Sequence, residues 1–164
     1  MQVIIKASIN TLKKSESLLS QLSNQELCNV SIGPYYSSIG SHVRHIFDFY
    51  NCIFNVKNGV VDLTSRERNT KVESCCLTAS EYLNIIINRL NNFNIENSSV
   101  VVIDDLGIGK TRMNYTVEAL FAQANSHTIH HYAIISYIMD QLGIKVEDCD
   151  FGYNPSTPKP NLHR

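Results

Sequence analysis

Apolar residues recur three and four positions apart in four stretches of the chain, the spacing that lines one face of an α-helix. The first stretch, about residues 3 to 22, puts Ile5, Ile9, Leu12, Leu19 and Leu22 on one broad face, with Lys13, Lys14 and Glu16 on the other. "GPYYSSIGS" then reads as a turn whose serines can cap a second helix, about 39 to 56, stopped by Asn58-Gly59. A third helix is predicted to start at the capping box Thr78-x-x-Glu81 and run through "YLNIIINRLNNF". A fourth covers about 117 to 142 and stops at Gly143. Between the last two, "VVVI" and "TRMNYT" flank the turn "DLGIG", which predicts a β-hairpin. "VVDLTSRERNTKVES" has no clear period and reads as a long ordered loop. The tail from Phe151 holds three of the four prolines and is expected to be extended, packing through Phe151 and Tyr153. The expected fold is all-α, an up-and-down four-helix bundle with a small β-hairpin between helices 3 and 4, in a single domain spanning 1–164.

Composition narrows the function classes. Fourteen basic against fifteen acidic residues give a net charge of −1 with no basic block, so nucleic-acid binding has little electrostatic support. No apolar run approaches the roughly 20 residues of a membrane span, and "MQVIIKASIN" lacks the features of a signal peptide. A cytoplasmic location is expected. The five cysteines form no C-x-x-C pair, which argues against a zinc knuckle or a dithiol redox motif and for free thiols. "GIGKT" resembles the end of a phosphate-binding loop. That motif needs a second glycine five positions before Gly109, where Asp104 stands and would repel phosphate.

Histidine carries the candidate chemistry. "SHTIHHYAII" places three imidazoles in five positions of an apolar run, and "SHVRHIF" adds His42 and His45. At about 100° per residue, His131 falls about 40° from His127 on the helix wheel, while His130 falls about 60° to the other side. His127 and His131 thus share the core stripe with Leu120, Ala124, Ile134, Ile138 and Leu142, and His130 sits at its polar edge. Imidazoles one turn apart on one helix can direct nitrogens to one point, as helical zinc motifs do. A third ligand from the second helix, His42 or His45, would complete a three-histidine site with positions left for water or substrate. The alternative is a set of boundary histidines satisfied separately by carbonyls, serines or Tyr132.

"SIGSHVRHIFDFY" is similar to the second-helix signature of the DinB-like superfamily, and "SHTIHHYAIISYIMDQLGI" is similar to its last-helix signature. The resemblance spans most of the chain, and its histidine motifs are the functionally specific part. It implies metal ligation by His127 and His131, with His45 as the remaining ligand; His42 is the competitor, since the helix wheel places it at least as centrally. It also implies a divalent metal, zinc or nickel, and a possible homodimer. "VDLTSRERNTKVE" resembles a loop of one branch, with Asp62, Arg66, Arg68 and Glu73 at matching places. Arg66 and Arg68 are the candidate substrate-binding residues, since guanidinium pairs bidentately with carboxylate. Asp48, one turn beyond His45, is a candidate to orient a ligand ring. No catalytic residue beyond the ligands is identified. Whether the chain is an enzyme stays open on sequence, because fold does not settle reaction. Thiol S-transfer with a small-molecule thiol leads, metal-dependent hydrolysis is the alternative, and a non-catalytic bundle with structural or no metal is the third reading.

Overall fold

The computed structural model describes residues 1–94 and 96–158. Six helices and three strands alternate along them: α1 (Gln2–Gln21), α2 (Asn24–Leu27), α3 (Ile39–Phe54), β1 (Val60–Asp62), α4 (Thr70–Ser74), α5 (Cys76–Asn91), β2 (Ser99–Asp105), β3 (Lys110–Thr116) and α6 (Val117–Gln141). The expectation of an all-α four-helix bundle with a small hairpin is therefore overturned. The strands form one mixed sheet in the order β1-β2-β3, with β1 parallel to β2 and β2 antiparallel to β3. Parallel strands need a long crossover; α4 and α5 supply it. β1 lies in the segment expected to be loop, and three residues are too few to display a period. They pair Val60 with Val101 and Asp62 with Ile103.

Helix starts follow the side chains that can accept an orphan N–H. Ser38 caps α3 by accepting from Ser41 N at 3.0 Å, and Thr116 caps α6 by accepting from Ala119 N at 3.1 Å. Ser23 and Glu26 cap each other at α2, a true capping box on a helix of one turn. The box expected at Thr78 is not a start: α5 already begins at Cys76, with Cys75 at the cap. α1 packs on α5 and α6, and α3 packs on α5 and α6. Leu12, Ile39, Val43, Ile46, Phe47, Leu120, Phe121 and Ile135 are fully buried between them. Apolar burial of this kind contributes roughly 1.5–3 kcal/mol per large side chain.

Two glycines are demanded by close approach. A Cβ on Gly40 would lie 2.1 Å from the carbonyl oxygen of Glu73, so α3 rests directly on the α4 backbone. Gly152 has φ +77, and a Cβ there would lie 2.8 Å from the Ala133 backbone on α6. The tail is thus folded into turns rather than extended. Phe151 is buried and stacks on Tyr132 with ring centroids 4.4 Å apart, while Tyr153 is exposed. Residues 159–164 of the tail lie outside the described residues. All five cysteines are free thiols. Among the described residues no helix is long and apolar enough to cross a membrane.

Candidate metal centre

The α3–α6 contact brings together histidines 82 and 89 residues apart in sequence. His45 Nε2 lies 2.8 Å from His127 Nε2, which lies 3.0 Å from His131 Nε2. His45, His127 and His131 each offer a ligand nitrogen, and these atoms all lie within 4.8 Å of one another, so the three can hold a metal ion. His42 stands outside the group. Its Nδ1 meets His131 Nδ1 at 2.9 Å, and its Nε2 meets Ser37 Oγ at 2.8 Å. His130 is exposed, as its place at the edge of the stripe requires.

Burial sets the charge of the cluster. It pushes His131 down to about 2, with the neighbouring imidazoles adding to the effect. His45 is pushed down to about 3, by burial first and the Arg66 guanidinium next. His127 and His42 are also lowered, mainly by burial and then by His130. At neutral pH these rings are uncharged and have lone pairs to give, the state a metal needs. The donor set fits a divalent ion also in spacing. Bonds of about 2.0–2.1 Å in tetrahedral array separate ligand nitrogens by about 3.3 Å, within a few tenths of the 2.8 and 3.0 Å at the two His127 contacts.

The same shifts make stability depend on pH. Above the ordinary imidazole value of about 6.5 the rings are neutral in both folded and unfolded chains. Below it the unfolded chain takes up protons that the folded cluster refuses, so stability is lost as pH falls from about 6.5 toward 3. The facing charges, Arg44 and Arg66, act in the same direction, and Asp104 opposes them at His127. Each refused proton costs at most about 1.4 kcal/mol per pH unit, less where solvent reaches the ring. Metal-free protein taken from pH 7.5 to pH 5 is expected to unfold at a lower urea midpoint. An unchanged midpoint would mean that the cluster accepts protons without resistance.

Arg66 reaches the cluster and Arg68 does not. Leu63 N donates to Ile103 O on β2 at 2.9 Å, which ties the Arg66 segment to the sheet. Arg66 Nε donates to Leu63 O at 2.6 Å, and its Nη1 lies 2.7 Å from His45 Nδ1. Arg68 donates to both Glu73 oxygens at 2.9 and 3.0 Å. Glu73 also accepts from Arg44 Nε at 2.6 Å, and Arg44 continues to Asp48, whose other oxygen accepts from Tyr82 at 3.1 Å. Arg68 and Asp48 therefore belong to an ion-pair network that ties α3 to α4 and α5. With both oxygens engaged, Asp48 orients Arg44 rather than His45.

Two clefts are lined by partners of the histidines, one by Arg66 and one by Ser37, and composition or spacing signals neither. One, of about 630 Å³, is lined by Asn51, Cys52, Asn55, Lys57, Ser65 and Arg66 among others. The other, of about 570 Å³, includes Ile32, Pro34, Tyr35, Ser37, Ile134 and Tyr137. Burial pushes the Cys52 thiol up to about 11, so it is no nucleophile at neutral pH. Ser37, the partner of His42, has as its only sequence signal its place in the serine pair before α3. No family model matches the chain, and no curated protein matches it.

Proposed function

We propose that the chain is a metal-dependent enzyme with one divalent ion, zinc or nickel, held by His45, His127 and His131, and that its leading chemistry is transfer of a small thiol. The observation that carries the proposal is the convergence of one nitrogen from each of three neutral imidazoles. When bound, a divalent ion supplies positive charge that stabilises a thiol in its deprotonated, nucleophilic form at neutral pH. The chain's own part is to hold the rings uncharged by burial, to fix His131 through His42, and to offer a cleft at Arg66, the partner of His45. Cys52, the cysteine lining the Arg66 cleft, is kept protonated by burial, which leaves the incoming thiol as the nucleophile there. Membership of the DinB-like superfamily is part of the same proposal, and the meeting of its two histidine motifs at one point supports it.

Cobalt makes the proposal testable, because sulfur ligation adds an intense near-ultraviolet charge-transfer band. Cobalt-loaded protein titrated with bacillithiol, glutathione and cysteine in turn is expected to develop that band with at least one of them. His45→Ala should abolish it. Loaded protein whose spectrum no thiol perturbs would overturn thiol transfer and favour hydrolysis.

A further inference from the structure

Without metal, Arg66 sets the pattern of protons from one end of the cluster. A guanidinium has only donors, so His45 Nδ1, 2.7 Å from Arg66 Nη1, carries the lone pair. The neutral ring then bears its proton on Nε2 and donates to His127 Nε2 at 2.8 Å. His127 Nε2 has one lone pair, so His131 Nε2, 3.0 Å away, either shares it as a second donor or faces it with a lone pair of its own. Sharing is the attractive arrangement. His131 Nδ1 therefore accepts from His42 Nδ1 at 2.9 Å, and His42 Nε2 accepts from the Ser37 hydroxyl at 2.8 Å. From Arg66 and from Ser37, the protons point inward to His127.

A metal ion on the converging Nε2 atoms requires the opposite pattern, with the ring protons of His45 and His131 on Nδ1. At the Ser37 end the chain can reverse in place: His131 donates to His42, and His42 donates to a hydroxyl that accepts as readily as it donates. At the other end reversal is impossible. Two donors, His45 Nδ1–H and Arg66 Nη1–H, would face each other at 2.7 Å.

We propose that metal loading releases the Arg66 guanidinium from His45 and makes it, in the adjoining cleft, the receptor for a carboxylate of a small ligand. This rests on the metal centre proposed above. Arg66 stays tethered through Nε at Leu63 O, which leaves its Nη edge to turn. The carbonyl oxygens of Asn51 and Asn55 accept from Arg89 at 2.8 and 3.3 Å, so what these amides offer the cleft is N–H. Lys57 and Ser65 line the same wall and add donors. The cleft's acids are largely spent: Asp48 on Arg44 and Tyr82, Asp62 on Thr64 and Lys110. Glu67 lines the cleft from an exposed position. A carboxylate there pairs with the guanidinium fork and accepts from His45 Nδ1–H as well. By linkage, metal and carboxylate then strengthen each other's binding equally.

Three measurements on the full chain test this. Nitrogen-15 spectra of labelled histidine should show the His45 proton on Nε2 without zinc and on Nδ1 with it. Zinc affinity, by chelator competition, should rise in Arg66→Met and rise further, by about tenfold as for other partners of a ligand ring, in Arg66→Gln, whose carbonyl accepts from Nδ1–H. Succinate at constant ionic strength should bind zinc-loaded wild type about tenfold more tightly than metal-free protein, within the usual range of coupling between sites. Arg66→Met should lose that binding. Equal zinc affinity of the Met and Gln variants would reduce Arg66 to a bare charge and overturn the proposal. Undiminished succinate binding by zinc-loaded Arg66→Met would place the carboxylate on the metal and overturn it too. In either case wild type that still takes one zinc leaves the metal centre standing; wild type that takes none removes the centre itself.

Discussion

Replacing His127 with alanine is expected to abolish stoichiometric metal uptake and all the stability that metal lends the folded chain. His127 is the middle of the three rings: its Nε2 contacts both His45 Nε2 and His131 Nε2. Removing it leaves two nitrogens, too few to compete with water for a divalent ion. Metal bound to the folded state alone stabilises by about 2.7 kcal/mol when free ion exceeds Kd a hundredfold. That gain should vanish in His127→Ala and persist in His130→Ala, whose ring is exposed and outside the group. Elemental analysis after dialysis gives the stoichiometry, and urea unfolding with and without zinc gives the stabilisation. One equivalent of zinc retained by His127→Ala, or lost equally from His130→Ala, would rule out the centre as described.

Gly40→Ala should be the most damaging single-methyl change in the fold. In an open helix it would gain roughly 1 kcal/mol from helix propensity. Here the new Cβ meets backbone, 2.1 Å from the Glu73 carbonyl oxygen and 2.7 Å from its carbonyl carbon. Backbone cannot rotate aside, so α3 and α4 must part. Glu73 would then move away from Arg44, which it holds at 2.6 Å with little exposure of either side chain. Overpacking costs typically 1–3 kcal/mol, and loosening a partly buried ion pair adds to it. We expect a loss of about 3 kcal/mol in urea unfolding, with zinc affinity also lowered because the segment bearing Arg66 runs into α4. A loss below about 1 kcal/mol would show that α4 is not seated on α3 as described.

The long helices and the hairpin strands were legible because each carries enough residues to display its period. β1 and α4 were not, since three and five residues show none, and their partners lie far along the chain. The Ser23-x-x-Glu26 box was readable and marks a real helix start, whereas the same pattern at Thr78 falls inside α5. At the site, the i,i+4 spacing of His127 and His131 was enough to put them on one face. His42 and His45 stand three residues and about 60° apart, both flank the core stripe of their helix, and the wheel does not choose between them. What does is tertiary: Arg66 comes off the sheet to meet one, and Ser37 meets the other. Arg66 and Arg68 looked equivalent in "SRERN", yet Glu73 on α4 captures only the second. Asp48 stood one turn from His45 as expected, but Arg44 on its own helix and Tyr82 on α5 engage it first.

The tip of the β2–β3 hairpin has a practical meaning for anyone wishing to handle this protein. Its turn is closed by its own Asp105, whose side chain accepts from Gly107 N at 2.8 Å and Gly109 N at 3.2 Å. Gly107 and Gly109 have open space where a Cβ would be, and Ile108 between them is 91% exposed. An affinity tag, fluorophore or linker inserted beside Ile108 would sacrifice those two bonds and little else. The entropy of a longer loop grows only logarithmically with its length. The hairpin is thus a permissive graft point, through which the chain can be labelled or tethered while its histidines stay where the helices hold them.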